Sequence, residues 1–138
     1  VEQAVAKILA TGKRRVGFIG LSFKTGTDDL RESPMVTLAE HLIGKGISLL
    51  VYDPEVHLSR LLGANKRFIE QHVPHIDSLI RGDVNEVVSA SEVLVMGIAD
   101  KSVFAQVRGA VRPDQMVIDL AHIDDADDWP CRVEGLCW

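Results

Sequence analysis

The sequence predicts an α/β fold in which helices cover both faces of a doubly wound, mainly parallel sheet. Short apolar runs of strand length alternate with stretches that carry apolar residues at helical spacing, which is typical of parallel strands joined by crossover helices. The run 93–98 is apolar at nearly every position, so we expect a strand buried on both faces at the centre of the sheet. The 138 residues contain no internal repeat or interdomain linker. We therefore predict a single, Rossmann-like domain.

The amino-acid composition argues against some classes of binding partner. With 46% hydrophobic residues the chain can bury an ordinary core, and a formal net charge of −5 argues against a nonspecific nucleic-acid or anionic-membrane surface. No apolar run approaches the roughly 20 residues that a bilayer span needs, and no signal-peptide pattern is present. Cys131 and Cys137 lack metal-like spacing, so we expect reduced thiols in a cytoplasmic protein.

The first twelve residues predict a helix that Gly12 ends. Its apolar face carries Val1, Val5 and Ile8. This face either packs against the domain's own sheet or leaned on a segment that precedes this chain, and we favour the second alternative. We accordingly assign 1–12 to the end of a preceding helical segment and 13–138 to the domain itself.

A strand, helix and second strand follow. Residues 16–19 suit a buried strand, the run 34–45 carries a broad apolar face at the helical period, and 47–52 suits the next strand. This order predicts a parallel crossover. Asp53 then stands at the carboxyl end of the second strand. In dinucleotide-binding folds an acid at this position hydrogen-bonds the ribose. Because no Gly-x-Gly-x-x-Gly turn follows the first strand, we favour a structural role for Asp53 in a turn with Pro54.

The region 55–81 has a broken helical pattern that Pro74 divides. Apolar residues recur through it at Leu58, Leu61, Leu62, Phe68, Ile69, Ile76, Leu79 and Ile80. The spacing of His72 and His75 places both on one face if the helix continues through them. Without a third ligand nearby, surface histidines are favoured over a metal site.

The last third of the chain predicts two capped helices and two strands. Asp83 and Glu86 form a capping-box pattern before one helix, and Asp100 is expected to cap the next. Strands are expected at 116–120 and, at a sheet edge, 133–138. The acidic segment 121–130 between them suits either Ca²⁺ or solvent, and we favour a solvated loop because no closing Glu has the spacing of a ligand loop. The aspartates concerned are Asp124, Asp125, Asp127 and Asp128.

The candidate site is the loop between the first strand and the helix that begins after Ser33. Ser33 followed by Pro34 is a helix start, so the loop opens at the carboxyl end of the sheet, where α/β proteins bind ligands. Lys24 suits a phosphate, hydroxyl or carboxylate, and Arg31 suits a pyrophosphate. The alternative is that both cations pair with acids of the same loop, namely Asp28, Asp29 or Glu32, and composition alone leaves the two alternatives even.

Several residues of this loop also carry a resemblance. Phe23-Lys24 followed by Thr27-Asp28-Asp29-Leu30-Arg31-Glu32-Ser33-Pro34 is similar to the motif that opens the C-terminal domain of the nucleotide-sugar 6-dehydrogenases, the family of UDP-glucose and GDP-mannose dehydrogenases. The similarity continues through 35–46 and the strand ending Tyr52-Asp53-Pro54, and the whole chain most resembles the GDP-mannose branch of alginate synthesis. The UDP-sugar branch stays as an alternative.

The resemblance implies a function and a division of labour. Members oxidise the C6 alcohol of the sugar in two NAD-dependent steps through a thiohemiacetal on a cysteine. It implies that Lys24 reaches the nucleotide-sugar, here GDP-mannose, and that Arg31 reaches NAD. Phe23 is a further substrate-binding candidate because it can present a flat apolar face, and the alternative is that it packs beneath the loop. We assign no catalytic or metal-binding residue to this chain.

The resemblance also implies parts that lie outside this chain. An NAD-binding N-terminal domain that carries the cysteine, and a central helical domain, would complete the enzyme as a homo-oligomer, most simply a dimer. We expect the fragment alone to be inactive, and neither Cys131 nor Cys137 matches the context of the catalytic cysteine. Many UDP-glucose relatives have Asp-Gly-Arg after the last central strand, whereas this chain has Asp119-Leu120-Ala121-His122, so no nucleotide contact is assigned there.

Two other classes of function remain open at this point. A receiver-like regulatory module is also α/β with acids near its first loop, but it needs a phosphate-accepting Asp after the third strand and a late Lys, and no Lys follows Lys101. A purely structural dimerisation domain would require that loss of Lys24 leave substrate affinity unchanged.

Overall fold

The computed structural model describes residues 1–22, 30, 33–54 and 63–136, which form helices and strands in alternation. The helices are α1 (Glu2–Ala10), α2 (Pro34–Gly44), α3 (Gly63–His72), α4 (Val84–Ala90) and α5 (Lys101–Ala110), and the strands are β1 (Arg15–Ile19), β2 (Ser48–Tyr52), β3 (Val93–Met96), β4 (Met116–Asp119) and β5 (Arg132–Gly135). Short 3-10 turns lie at Ile76–Ser78 and Ala126–Asp128. None of the described helices is long and apolar enough to cross a bilayer.

The five described strands form one sheet in the order β2-β1-β3-β4-β5, and every pair is parallel. Phe18 of β1 lies between Val51 of β2 and Val95 of β3 in register. The chain leaves β1 towards β2 and then returns to the other side of β1 at β3, so the order reverses between β1 and β3. This confirms the doubly wound, Rossmann-like prediction and the central place of 93–98.

Strand β3 shows how the sheet divides the core into two layers. Val93 and Val95 belong to the apolar cluster that contains the buried residues of α1, α2 and α3, whereas Leu94 and Met96 belong to the cluster formed with α4 and α5. Alternate side chains of a strand point to opposite faces, so the two clusters lie on opposite sides of the sheet. We call these sides the α2 face and the α5 face.

Three polar residues cap helices where the sequence predicts them. The side-chain oxygens of Ser33, Asp83 and Asp100 accept hydrogen bonds from the backbone N–H groups of Met35 (3.2 Å), Asn85 (3.0 Å) and Val103 (3.1 Å). Each bond satisfies an N–H group that a helix start leaves without a partner. The reciprocal half of the predicted capping box is not formed, because the Glu86 carboxylate contacts Arg81 Nε at 3.1 Å instead.

Strand ends in the described part of the chain differ from the predictions by one to three residues. Strand β3 ends at Met96 and not at residue 98, and the edge strand β5 covers Arg132–Gly135 where 133–138 is predicted. Cys137 and Trp138 lie outside the described residues. Hydrophobicity identifies a strand but does not mark the residue at which it leaves the sheet.

Helix α1 packs against the domain's own core. Its residues Ala4, Val5 and Ile8 are buried in the α2-face cluster. The favoured alternative, in which this face leaned on a preceding segment, is therefore wrong for these residues. Lys7 of the same helix donates a 2.8 Å hydrogen bond from Nζ to Glu134 Oε2 of β5, which ties α1 to the sheet edge. The division of the chain at residue 12 stays a prediction.

The Lys7–Glu134 contact predicts a stability that falls in acid. The hydrogen bond from Lys7, helped by the charge of Arg132, holds the pKa of Glu134 below its usual range although partial burial opposes this. A carboxylate whose folded-state pKa is lowered stabilises the fold above its unfolded pKa of about 4.3, and this stabilisation is lost as the pH falls through the folded-state value. We expect Glu134→Gln to lower the free energy of unfolding by up to about 1 kcal/mol at neutral pH, since the pair is partly exposed.

Urea unfolding of wild type and Glu134→Gln at neutral pH and below pH 4 measures this difference. We expect the two proteins to converge in acid. Glu70→Gln, at an exposed residue of α3 without a described ion pair, is the matched control and should show no difference at either pH. A constant difference between wild type and Glu134→Gln across the range would mean that the carboxylate's charge contributes nothing.

The two histidines near Pro74 do not share a helix face. Helix α3 ends at His72, and His75 has a left-handed backbone with φ of 63°. The arrangement that their spacing allows, with both on one helix face, is not formed, because the helix ends at His72, before Pro74. His72 Nδ1 instead lies 2.6 Å from Glu40 Oε1, and its ring lies 4.2 Å from that of Phe68. Leu58, Leu61 and Leu62 lie outside the described residues.

Candidate functional site

The carboxyl ends of β1 and β3 frame the candidate site, because the strand order reverses between these two strands. In open α/β sheets such a reversal leaves a crevice that ligands occupy. The chain leaves β1 at Gly20, and Ser33 is the N-cap of α2. The predicted site loop therefore starts at this crevice, and the described residues at its two ends define how it is held.

Gly20 begins the loop in a conformation that side chains disfavour. Its φ is +103°, and its N–H donates to the Tyr52 carbonyl oxygen at 2.7 Å. A Cβ atom built on Gly20 would lie 2.5 Å from Ile98 Cγ2 and 3.1 Å from Ile98 Cβ. The turn is therefore closed tightly against the residue that follows β3, which only a glycine permits.

Asp53 holds the first residues of the loop. Its Oδ2 atom accepts hydrogen bonds from the backbone N–H of Leu21 at 2.7 Å, the backbone N–H of Ser22 at 3.1 Å and the hydroxyl of Ser22 at 3.3 Å. Asp53 is 7% exposed, and a buried carboxylate needs such donors. These contacts give Asp53 a structural role at the first loop. The predicted turn with Pro54 continues into residues outside the described ones and stays a prediction.

Ser33 holds the other end of the loop. Its hydroxyl donates a 2.6 Å hydrogen bond to the Leu21 carbonyl oxygen while accepting the bond from Met35 that caps α2. Leu21 is thus bound through its N–H to Asp53 and through its carbonyl to Ser33. Leu30, within the loop sequence, is fully buried in the α2-face cluster. Both ends of the loop are consequently fixed to the sheet and to α2.

The predicted binding residues themselves, Phe23, Lys24 and Arg31, lie outside the described residues. Their alternative ion-pair partners, Asp28, Asp29 and Glu32, lie outside them as well. The roles of the three residues therefore stay predictions.

Strand β4 ends in a turn that Asp119 organises. Asp119 Oδ1 accepts from the Ala121 N–H at 2.9 Å and Oδ2 accepts from the Ile123 N–H at 2.7 Å, while His122 between them has a left-handed φ of 61°. Sequence reasoning missed this role. The signal was an Asp at the end of an apolar strand, where short acidic side chains bind nearby backbone N–H groups.

The acidic segment 121–130 is only partly a solvated loop. Asp125 Oδ2 accepts a 2.7 Å hydrogen bond from Arg108 Nη1, and Asp125 Oδ1 accepts one from Trp129 Nε1 at 3.2 Å. Arg108 Nη2 also donates to the Asp128 carbonyl oxygen at 3.2 Å. These contacts dock the segment on α5, while Asp124, Asp125, Asp127 and Asp128 all stay exposed, as predicted for a solvated loop. Across the described ranges no group of three acidic, His or Cys residues is placed to hold a metal ion.

Cys131 is partly buried, and burial raises the pKa of its thiol. A thiol with a raised pKa stays protonated near neutral pH and is a weak nucleophile. This agrees with the choice not to assign Cys131 the role of the catalytic cysteine.

The described residues do not form a dinucleotide site of their own. β1 is followed by Gly20-Leu21-Ser22 in place of a Gly-x-Gly-x-x-Gly turn. The Asp53 carboxylate, which corresponds to the ribose-binding acid of such sites, accepts hydrogen bonds from the loop backbone. The resemblance therefore leaves Arg31 as the one residue assigned to NAD, and no reaction step is derived through the cofactor.

Most of the chain matches the model of a known protein family. Residues 17–125 match the model of the UDP-glucose/GDP-mannose dehydrogenase family, UDP binding domain. Over its full length the chain is 44% identical to GDP-mannose 6-dehydrogenase of Pseudomonas aeruginosa, of which it covers 31%. The chain thus spans about a third of that relative.

Solved structures agree with the sequence comparison. The crystal structure of a ternary complex of GDP-mannose dehydrogenase from Pseudomonas aeruginosa matches 96% of this chain, and 30% of that protein, with a TM-score of 0.78 and 41% identity. A UDP-glucose dehydrogenase from Pyrobaculum islandicum matches 99% of this chain, and 28% of that protein, with a TM-score of 0.66 at 24% identity, which supports the fold alone.

The strand order is shared with flavodoxin-like proteins, the class to which receivers belong. Topology alone therefore does not distinguish a dehydrogenase domain from a receiver-like module. The family match separates them, and it sets the receiver-like alternative aside. It also confirms the resemblance that the loop motif predicts. The chain belongs to the UDP-glucose/GDP-mannose dehydrogenase family, in which it corresponds to the UDP-binding domain.

Proposed function

We propose that this chain is the C-terminal nucleotide-sugar-binding domain of an NAD-dependent GDP-mannose 6-dehydrogenase, which oxidises GDP-mannose to GDP-mannuronate in two steps. The observation that carries the proposal is the 44% identity over the whole chain to a relative of that name. The choice of GDP-mannose over a UDP-sugar is supported by identity, which is 41% to the GDP-mannose dehydrogenase structure and 24% to the UDP-glucose dehydrogenase structure.

Within this function we propose that the loop after β1 binds both ligands. Lys24 contacts the nucleotide-sugar, Phe23 lies against it, and Arg31 contacts NAD bound to another domain. The described ends of the loop support this, since Asp53 and Ser33 fix Leu21 beside the crevice between β1 and β3. A loop fixed at both ends presents its side chains with a smaller entropic cost than a free loop.

The proposal includes the rest of the enzyme. An N-terminal NAD-binding domain would supply the thiol that forms the covalent intermediate, and a central helical domain would connect it to this one. The complete protein would be a cytoplasmic homo-oligomer, a dimer in the simplest case, acting in alginate synthesis. The support for these parts is family membership, in which this chain covers 31% of the relative's length.

Lys24→Ala tests the substrate contact in the complete protein that contains this chain. If Lys24 donates a charge-assisted hydrogen bond to GDP-mannose, its loss should weaken binding by about tenfold to hundredfold. Calorimetric titration with GDP-mannose measures this, and Lys13→Ala, at an exposed lysine of this chain, is the matched control. Unchanged affinity in Lys24→Ala would favour a purely structural, dimer-forming domain.

Arg31→Ala and Arg31→Lys test the cofactor contact. We expect Arg31→Ala to weaken NAD more than GDP-mannose, and Arg31→Lys to recover only part of the loss, because lysine restores the charge but not the planar fork that grips a pyrophosphate. Titration with each ligand, together with the melting temperature, measures both. Full recovery by lysine, or equal weakening of both ligands with a lower melting temperature, would indicate that Arg31 pairs with a loop acid and supports the fold.

A further inference from the structure

Gly97 follows β3 at the crevice where the strand order reverses. Its N–H donates a 2.8 Å hydrogen bond to the Ile19 carbonyl oxygen, which joins the ends of β1 and β3. A Cβ atom built on Gly97 would lie 2.7 Å from both Sδ and Cε of Met35 and 3.0 Å from its Cγ. The side chain of Met35 therefore occupies the space that any larger residue at position 97 would need.

The backbone of Gly97 does not itself require a glycine. Unlike Gly20, Gly97 does not have a positive φ, so an alanine fits its backbone conformation. The close approach of Met35 is therefore the reason that a side chain is excluded here. Met35 cannot turn away into solvent, because it is fully buried in the α2-face cluster.

Met35 belongs to the first turn of α2, and this turn is fixed to both strands. The Met35 N–H donates to Ser33 Oγ, and the Ser33 hydroxyl donates to the Leu21 carbonyl oxygen, which ties the turn to the chain that leaves β1. The Met35 side chain lies against Gly97, which ties the same turn to the end of β3. The contact at Gly97 consequently sets how far the start of α2 lies from the crevice.

The displacement that an alanine at position 97 would cause follows from the contact distance. Non-bonded carbon atoms lie about 3.5–4.0 Å apart at their optimum, so the new methyl group would have to move the Met35 side chain by about 1 Å. Close-packed interiors transmit such a shift because they contain few voids that absorb it. A displacement of about 1 Å at a ligand site can lower activity about a hundredfold.

We propose that Gly97 is a positioning residue of the nucleotide-sugar site, because its missing side chain sets the width of the crevice between the strand ends and the start of α2. Gly97 acts through Met35 and does not need to touch the ligand. This inference rests on the proposed function, since the nucleotide-sugar has to occupy the crevice. It adds a residue that follows β3 to a site that the sequence assigns to the loop after β1.

Gly97→Ala in the complete protein tests the inference. Titration with GDP-mannose well below the melting temperature should give an affinity about tenfold to hundredfold weaker than that of wild type. Gly17→Ala is the matched control, since a Cβ atom on Gly17 would lie 2.4 Å from Ser91 Oγ and 2.8 Å from Val87 Cγ1, inside β1 and towards α4. It introduces packing strain away from the crevice and should change the affinity by less than about twofold.

A second background separates displacement of the helix from loss of stability. In Met35→Ala the side chain that the new methyl group meets is absent, so adding Gly97→Ala should weaken GDP-mannose by less than about threefold. If Gly97→Ala alone does not fold, Gly97→Ala/Met35→Val leaves a shorter side chain against the methyl group and should bind more weakly than Gly97→Ala/Met35→Ala. Equal weakening by Gly97→Ala in both backgrounds, equal binding by the two double variants, or equal affinity of Gly97→Ala and Gly17→Ala overturns the inference.

Two further readouts separate the inference from the proposed function. Hydrogen exchange followed by mass spectrometry should be faster at residues 33–44 in Gly97→Ala, but not in Gly17→Ala, with or without ligand; unchanged exchange overturns the inference. UDP-glucose is titrated beside GDP-mannose. A wild type that binds UDP-glucose in place of GDP-mannose overturns the proposed sugar but not the inference, which the same variants then test with UDP-glucose, and binding of neither overturns both.

Discussion

Replacing Gly20 with alanine is expected to lower the free energy of unfolding by about 3 kcal/mol. Two physical terms contribute. The backbone φ of +103° belongs to a region that residues with a Cβ occupy only with strain of order 1–3 kcal/mol. The new methyl group would also lie 2.5 Å from Ile98 Cγ2, and overpacking of a closed core costs about 1–3 kcal/mol.

Denaturant unfolding of Gly20→Ala, Ile98→Ala and the double variant separates these terms. If the methyl group clashes with Ile98, the loss in the double variant should be smaller than the sum of the single losses by about 1 kcal/mol or more. Gly44→Ala is the control, since no atom lies within 4 Å of the position that its Cβ would take, and it should be neutral or slightly stabilising. If the losses of the two single variants simply add in the double variant, the backbone conformation of Gly20 accounts for the whole destabilisation by Gly20→Ala.

The architecture could be predicted because local pattern and global arrangement agree. The consecutive apolar residues of β3 require burial on both faces, and the central strand of a sheet covered by two helical layers is the place that provides it. The caps at Ser33, Asp83 and Asp100 were equally predictable, since each bond joins a side chain to a backbone N–H two or three residues away.

Contacts between distant parts of the chain could not be predicted from such patterns. An amphipathic helix shows that α1 buries one face but not against what, and Lys7 finds Glu134 a full 127 residues away. Asp125 in an acidic run gives no sign that Arg108 will meet it. These features follow from the relative placement of elements, which periodicity does not contain.

For the candidate site, too, local patterns were predictable and contacts between distant residues were not. Its place at the carboxyl edge followed from the strand and the helix start on either side of it. Its proposed chemistry rests on the loop motif and stays a prediction. What holds the loop was not predictable, because the carboxylate of Asp53 binds Leu21 and Ser22, which lie 32 and 31 positions earlier in the chain. The absence of the dinucleotide turn predicted a structural role for Asp53, but nothing in the sequence indicated that this role includes the first loop.

Asp53→Ala is therefore expected to affect both stability and the proposed substrate contact. The substitution removes the acceptor of two backbone N–H groups and one hydroxyl in a site that is 7% exposed, and the loss of charge-assisted bonds with donors left unsatisfied should cost about 2–4 kcal/mol. Asp53→Asn keeps a neutral acceptor and should lose about half as much. Asp114→Ala, at a surface carboxylate whose side chain is 75% exposed, should change stability by less than about 0.5 kcal/mol.

The binding readout distinguishes a structural residue that positions the loop from one that only supports the core. If Asp53 positions the loop through Leu21 and Ser22, Asp53→Asn measured well below its melting temperature should weaken GDP-mannose in the complete protein, whereas a core variant of matched stability loss, Val107→Ala on the α5 face, should not. Adding Lys24→Ala to Asp53→Asn should then cost less affinity than it costs in wild type, because a lysine on a displaced loop already contributes less. Equal effects of Asp53→Asn and Val107→Ala on affinity would limit Asp53 to stability and would leave the placement of Lys24 to the loop itself.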